Sequence, residues 1–392
     1  SALAGGWRLD GPFQSEGING YFWSSSPGTV GLGYRKLSSG SSEVGKLSNN
    51  SLFGLSVRCL RDSSSAPVVT TTQIDALNAN EANLEGNIAF NWEPITSTGF
   101  KWGFASDLSD GIAIVGDTLD GDFGAVLSGL NAETAVYYSA FASNSLGTAY
   151  GDTLTFTTKT GLTDANIHAA VDVWCADSQS AETTYGHISD WDVSAVTNMD
   201  QLFKEKSTFN DDISDWDVSA VTTTVEMFMM ASAFNQDLSV WDVSSFENMR
   251  SMFFLASNFT SDLSSWDVSS VTTMYGAFQR ASMFNSDLSQ WDVSSVQNMQ
   301  SLFNDCSNFN SDLNEWDVSN VTTMLTMFYD ASNFSSDLNS WDMSAVKNTG
   351  WMFGGATSFN GDISSWDVSS VTNMEIMFKD ATSFNQPIGN WD

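Results

Sequence analysis

Hydrophobic and polar positions repeat with a constant period in the C-terminal half of the chain. The dipeptide Trp-Asp recurs every 25 residues without an insertion, and self-similarity at a fixed period is the signature of a stacked repeat. The tryptophans are Trp191, Trp216, Trp241, Trp266, Trp291, Trp316, Trp341, Trp366 and Trp391. We therefore interpret residues 190–392 as successive units of one repeat.

Each unit carries two hydrophobic periodicities. In residues 259–283, Leu263, Trp266 and Val268 have the spacing of a short strand that places Trp266 and Val268 on one face. The next apolar positions recur at intervals of three and four, which predicts a helix of about ten residues. They are Val271, Met274, Ala277, Phe278 and Ala281. Because one unit alone cannot bury its apolar stripe, the sequence predicts an α/β solenoid of parallel strands and short helices.

The units share the motif F-N-x-D-[LI]-S-x-W-D-V-S-x-V-T-x-M-x-x-M-F-x-x-A, which resembles the BspA-like bacterial surface repeats, relatives of the leucine-rich repeat. The resemblance implies a leucine-rich-repeat-type solenoid. Residues 161–189 resemble its N-terminal cap, with Thr163 as the helix N-cap and four apolar residues at helical spacing. These are Ile167, Ala170, Val171 and Trp174. Because no C-terminal cap follows, we expect the repeats to be truncated at Asp392, with the last edge covered by further repeats or another chain.

The residues before the cap predict two further modules. Residues 66–158 alternate apolar and polar positions in short runs separated by Gly, Asn and Asp, which is typical of an antiparallel sandwich. The run L-N-A-E-T-A-V-Y-Y-S-A-F-A-S-N resembles a fibronectin type III domain, with Tyr137 or Tyr138 as its tyrosine corner. Residues 1–62, with G-Y-F-W-S-S-S-P, resemble part of a Fibrobacter-type major paralogous domain, which implies a partial C-type-lectin-like α+β fold.

Composition limits the partners. The chain has 14 Lys and Arg against 47 Asp and Glu, a net charge of −33, which disfavours nucleic acid and anionic lipid. No apolar stretch of about 18 residues occurs, so membrane insertion of this segment is not expected. The cysteines Cys59, Cys175 and Cys306 are far apart, and we expect free, mostly buried thiols.

The sequence lacks the common signatures of enzymes. It contains no G-x-S-x-G, C-x-x-C, H-E-x-x-H or glycine-rich phosphate loop. His168 and His187 have no paired Ser or Cys motif near them, and we expect His187 to make a structural contact. We therefore predict that the chain is not an enzyme.

The aspartate after each tryptophan is the first candidate site. On a parallel sheet these carboxylates would stand about 4.8 Å apart and repel by roughly 0.9 kcal/mol even in water. Calcium or a basic partner would offset the repulsion; alternatively, each carboxylate accepts hydrogen bonds from the serine two residues on. The column consists of Asp192, Asp217, Asp242, Asp267, Asp292, Asp317, Asp342 and Asp367.

Two other sets of residues are candidates. The residue before each tryptophan varies between units on the same predicted face, which suits a specificity position, although lack of constraint gives the same variation. The members singled out are Asp190, Asp215, Val240, Gln290 and Glu315. A second acidic group crowds one region of the predicted sandwich and suggests calcium, with solvated acidic loops as the alternative. It comprises Asp107, Asp110, Asp117, Asp120 and Asp122.

These observations favour a secreted or cell-surface adhesin, or a structural component of a surface assembly. Its partners would be a protein or glycan on another cell or matrix, or sister subunits, bound through the strand face or the open end of the solenoid. The alternative is a carbohydrate-binding protein that uses residues 1–62, with the repeats as a stalk. Calcium is the one cofactor candidate.

Overall fold

The structure, a computed structural model, describes residues 65–74, 77–89, 93–117 and 121–391, together with the backbone of five earlier strands. These strands are β1 (Trp7–Arg8), β2 (Asn19–Trp23), β3 (Gly33–Ser38), β4 (Gly45–Ser48) and β5 (Gly54–Leu55). Strands β2, β3 and β4 form an antiparallel sheet, and β1 pairs with β5. The rest of the predicted lectin-like domain lies outside the described residues.

Residues 66–158 form antiparallel sheets. Their strands are β6 (Val69–Thr71), β7 (Ala82–Ile88), β8 (Ile95–Gly103), β9 (Ile112–Val115), β10 (Asp122–Leu127), β11 (Ala135–Asn144), β12 (Gly147–Tyr150) and β13 (Leu154–Thr157). One sheet has the order β10-β7-β6, and the other has the order β12-β11-β8-β9, with β13 paired to β11. Phe100 and Phe123 pack 5.3 Å apart, and the buried Tyr138 hydroxyl donates to the Thr72 carbonyl at 2.6 Å.

The chain divides into two compact units. The first contains Ser1–Thr72, Glu85–Ala125 and Tyr138–Leu154, and the second contains Gln73–Leu84, Val126–Tyr137 and Thr155–Asp392. Three short segments of residues 66–158, residues 73–84, 126–137 and 155–158, therefore belong to the same compact unit as the repeats.

Two helices precede the repeats, α1 (Ile167–Ala176) and α2 (Ser178–Tyr185), followed by a short 3-10 helix (Ile188–Asp190). The four apolar residues predicted at helical spacing are all buried in α1, as expected. The N-cap is Asn166 rather than Thr163. Within the described residues, no helix has the length and apolar character needed to cross a membrane.

The predicted leucine-rich-repeat solenoid, with a parallel strand and a short helix in each unit, is wrong. Residues 191–391 contain neither a β-strand nor an α-helix. The strands described earlier in the chain form antiparallel sheets, and α1 and α2 are the only α-helices in the described part of the chain. Each 25-residue repeat is instead a series of turns, called a coil here. One isolated parallel bridge, such as Asn198 with Thr223, joins each coil to the next.

Backbone hydrogen bonding explains why the predicted helix does not form. In one coil, the N–H groups of Glu226 and Phe228 donate to the next coil, at the carbonyls of Arg250 and Met252, both at 2.8 Å. The N–H group of Met229 donates to Glu226, three residues back rather than four. An α-helix would need those donors for bonds along its own axis.

Two positions in each coil also have left-handed backbone conformation. Glu226 has φ 56° and Met230 has φ 62°, and the equivalent residues of the other coils share this sign. This conformation costs about 1–2 kcal/mol for each residue other than glycine. The hydrogen bonds between coils must offset that cost. We call residues 199–206 and their equivalents in later coils the ladder segment.

The predicted strand is also a turn. The Trp266 N–H group donates to the Leu263 carbonyl at 3.1 Å, which closes a turn over Ser264 and Ser265. The chain therefore folds back where extended backbone was expected.

Aromatic rings fill the interior of the stacked coils. Phe278 packs 5.5 Å from Phe253 in the preceding coil and 4.1 Å from Phe284, six residues further along the chain, with the rings nearly parallel. Equivalent phenylalanines continue both stacks from the first coil to the last. The expected burial of the tryptophan column is confirmed from Trp191 to Trp366.

Each buried tryptophan is also fixed by a hydrogen bond. The Trp266 Nε1–H group donates to the Leu238 carbonyl of the preceding coil at 2.8 Å, and the same bond recurs at the neighbouring coils. The large apolar ring is buried and its one polar atom is hydrogen-bonded, which is the usual condition for burying tryptophan. The coils therefore stack in a defined register.

Candidate functional site

The aspartates that follow the tryptophans are bonded within their own turns. In all eight, Oδ1 accepts the backbone N–H group of the serine two residues on, at 2.9–3.1 Å. The Ser244 hydrogen bonds hold the pKa of Asp242 below its usual value, so this carboxylate stays ionised. The hydrogen-bond alternative is thus confirmed, while cation or partner binding along this row stays a prediction.

The first members of the predicted columns have additional partners. Asn80 Nδ2 donates to Asp192 Oδ2 at 2.6 Å, and Asn78 Nδ2 donates to the Asp190 carbonyl at 3.0 Å. All four residues belong to the second compact unit. Asp192 therefore serves the packing of residues 77–80 against the first coil.

Four of the five variable residues before the tryptophans are exposed, Asp190 is half-buried, and two of the exposed residues line a polar groove. Gln290 and Glu315 border a cavity of about 580 Å³, whose other walls are Asn, Ser and Asp side chains of two adjacent coils. Hydrogen bonds between the coils occupy these walls: the Ser311 hydroxyl accepts from the Leu288 N–H group at 2.9 Å and donates to Asp287 at 3.3 Å. The groove is therefore built mainly from groups that hold the coils together.

The other predicted positions of this column stand apart from the groove. Asp215 and Val240 are exposed on earlier coils, and Val240 is 71% exposed. The structure therefore does not bring the whole column into one site.

The acidic residues of the predicted sandwich support separate loops. Asp110 accepts the N–H groups of Phe104 and Ala105, and Asp107 accepts that of Ser109. These hydrogen bonds lower the pKa of both carboxyls.

Asp117 and Asp122 have different partners. Asp117 accepts the Gly124 N–H group at 2.7 Å, and Asp122 accepts Asn87 Nδ2 at 2.6 Å. Asp120 lies outside the described residues. Over residues 65–74, 77–89, 93–117 and 121–391, no group of three or more His, Cys, Asp or Glu side chains is placed to hold a metal ion.

One of the three thiols that were expected to be mostly buried is exposed. Cys306 is buried, with its Sγ 2.7 Å from the Phe278 carbonyl. Cys175 is exposed, which corrects the expectation for that thiol, and Cys59 lies outside the described residues. The His187 ring packs edge-on against Trp174 at 5.0 Å, the structural contact expected of it.

The sequence analysis missed a surface on the ladder segment. In the ladder segments the exposed or half-buried side chains belong mainly to the second, third, sixth and seventh residues, whereas the fourth and fifth are buried except for the half-buried Phe378. The buried exceptions at the four outer positions are Ser251, Gly276, Ser301, Gly350 and Gly354. We call this surface the ladder face. Many of its side chains are apolar: Val225, Met229, Met230, Phe254, Leu255, Tyr275, Leu325, Tyr329, Trp351 and Ile376. The same columns hold charged, amide or glycine residues in other coils, so they vary between repeats whose interiors barely change.

Comparison with known proteins identifies the repeats. A family model described as "Mycoplasma protein of unknown function, DUF285" matches residues 176–285, 257–358 and 333–392, which together span more than half of the chain. No curated protein matches the sequence. Solved structures that match include the sensor domain of the anti-sigma factor RsgI4 from Pseudobacteroides cellulosolvens, at 14% identity and a TM-score of 0.21. That match covers 25% of this chain and 99% of the other. At this TM-score the likeness supports no conclusion about fold or function.

Proposed function

Because the chain belongs to the DUF285 family, a family of BspA-like repeat proteins, we propose that it is an extracellular or cell-surface protein that binds a partner through its repeats. Its role is adhesion to another cell or matrix, or assembly with other surface subunits. We also propose that residues 66–158 and 1–62 are the fibronectin type III-like and Fibrobacter-type modules expected there, and that they display the repeats. These residues precede the family match, which begins at residue 176.

The ladder face is the observation that carries this proposal. Most large apolar side chains of the repeats are fully buried, yet Met230 and Ile376 on this face are 40% and 41% exposed. Contiguous apolar side chains on a surface, bordered by polar residues, are typical of interaction sites. The side chains on this face and before the tryptophans differ from coil to coil, so one scaffold can present a partner-specific pattern.

Localisation is the first test. Antibodies against the repeats should label intact cells that produce the protein, and brief protease treatment of those cells should remove the label. Labelling that needs permeabilised cells would contradict the proposal. The outcome does not depend on which partner is bound.

Binding is the second test, and the chain supplies a matched control. Beads coated with the purified protein should adhere to cells from the culture that produces it. Beads coated with the triple variant Met230→Ser, Leu255→Ser, Trp351→Ser should lose most of that adhesion. The control, Val240→Ser with Met283→Ser, removes exposed apolar side chains outside the ladder face and should adhere like the unchanged protein. Equal adhesion by both variants would exclude the ladder face as the binding surface.

A further inference from the structure

We propose that the ladder face between Asp305 and Asp380 docks an extended, basic polypeptide segment of the partner, with Lys or Arg side chains over its aromatic rings and beside its carboxylates. This inference rests on the proposed function, because it names the partner chemistry for the same face. It concerns four consecutive coils in the second compact unit.

Aromatic side chains form the floor of this surface. The Tyr329 and Trp351 rings lie 5.7 Å apart in an edge-to-face arrangement, and both are half-buried. A Cβ atom on Gly354 would lie 3.1 Å from the Tyr329 ring, so glycine at this position lets the ring lie on the backbone of the following coil. The result is a partly exposed pair of rings set at a steep angle to each other.

The neighbouring glycine places a carboxylate beside these rings. A Cβ atom on Gly355 would clash with the Asp330 carboxylate, which therefore occupies space that a side chain would fill in another coil. Gly355 stands between Asp330 and Asp380 in its column. Anionic and aromatic groups are thus adjacent on one surface.

The rings of the ladder face already receive cations from the chain itself. Lys379 Nζ lies 5.2 Å from the Trp351 ring centroid, and the Arg250 guanidinium lies 5.5 Å from that of Tyr275. These distances fall within the range of cation–π attraction, and tryptophan is the most favourable ring for it. The same attraction would hold a lysine or arginine of a partner at the ring surface that these side chains leave uncovered.

The carboxylates lack sufficient positive charge around them. Partial burial, and then the charges of Asp305 and Asp380, raise the pKa of Asp330. Arg280 approaches Asp305 at 3.4 Å, and Lys379 approaches Asp380 at 4.0 Å, but all four side chains are about half exposed or more, and such pairs contribute little. Basic groups of a partner would relieve the remaining repulsion.

The backbone does not by itself require aspartate at these positions. The column of Asp305, Asp330 and Asp380 is left-handed in every coil, and aspartate tolerates that conformation. Met230 and Leu255 occupy the same column with φ of 62° and 59°. The grouping of carboxylates beside Trp351 therefore needs another explanation, and complementarity to a basic partner provides one.

A polypeptide fits better than a metal ion. No three carboxylates of the described residues are arranged around one point where an ion could bind, whereas the side chains of an extended segment are spaced along its length. The chain's net charge of −33 would also speed the approach of a basic partner.

The test measures binding of a ten-residue oligolysine peptide to the purified chain by calorimetry at physiological ionic strength. The triple variant Asp305→Asn, Asp330→Asn, Asp380→Asn should weaken binding at least tenfold. The control, Asp212→Asn, Asp237→Asn, Asp362→Asn, removes the same charge from turns in which the carboxylate accepts the N–H group of the serine two residues on, a bond that Asn can keep. It should weaken binding less than twofold.

A second variant keeps the outcome tied to the surface. Trp351→Leu removes the ring but keeps an apolar side chain, and should weaken binding several-fold. Circular dichroism and melting temperature confirm folding of each variant. Equal weakening by the two triple variants, or full binding by Trp351→Leu, would overturn the proposal, since net charge alone would then explain the affinity. Because these measurements use purified protein, they can succeed even if cell labelling refutes the extracellular role.

Discussion

The hydrogen bond of each buried indole can be tested by Trp266→Phe. In the folded chain, Nε1 of Trp266 donates to the Leu238 carbonyl at 2.8 Å, and that carbonyl also accepts the Trp241 N–H group at 3.2 Å. Phenylalanine removes the first bond and leaves the second. A lost neutral hydrogen bond costs about 0.5–1.5 kcal/mol, and the smaller ring adds about 1–2 kcal/mol through lost burial and an unfilled void.

The expected loss is therefore about 1.5–3.5 kcal/mol of unfolding free energy. In a domain of this size it lowers the melting temperature by roughly 3–14 °C, which differential scanning calorimetry resolves. The comparison variant is Trp391→Phe, because the Trp391 indole stacks on Trp366 at 6.0 Å but is only partly buried, and its Nε1 has no hydrogen-bond partner. We expect less than about 1 kcal/mol there. If the two variants shift the melting temperature equally, the indole bond does not stabilise the stack.

Three further outcomes are expected. Gly276→Ala should destabilise the chain by about 1–2 kcal/mol in urea unfolding, because φ is 60° at this glycine and the added Cβ meets no atom closer than 3.2 Å; no change would refute the strain. In an NMR titration of the carboxyl groups, Asp242 should titrate below 3.8 and Asp330 above it. Because a lowered folded pKa stabilises the fold above the unfolded value, the Asp242 contribution should vanish as the pH falls through that lower pKa. Peptide mapping after alkylation should find Cys175 modified and Cys306 protected in the folded chain, because burial raises the Cys306 pKa.

The sequence identified which residues are buried more successfully than it identified the backbone. Trp266, Val271 and Phe278 are all interior, as their spacing requires. The spacing of three and four was interpreted as a helix, but turns with bonds to the third residue back bury side chains at similar intervals. The left-handed conformation of residues such as Leu255 and Trp351 could not be predicted from the sequence, because glycine is the usual sign of that conformation.

The candidate sites were also predicted only in part from the sequence. The serine bonds to Asp242 and its equivalents followed from the Asp-x-Ser spacing, since such side chains commonly bond the backbone two residues on. The ladder face was not predicted because the candidate sites were sought mainly among acidic residues. Variation between coils beside the constant Phe328 column would have revealed it, since Tyr329 and Asp330 change from coil to coil while their neighbour does not.

The bonds between coils have a consequence for the gene. Each Trp indole reaches the coil immediately before it, as Trp291 reaches Leu263 at 2.9 Å, so a coil depends on its neighbours rather than on its position in the series. Unequal recombination that deletes or duplicates one whole repeat would rejoin equivalent residues and preserve every such bond. A deletion one codon shorter would displace the indoles from their acceptors, so copy number can drift during evolution while the repeat length cannot.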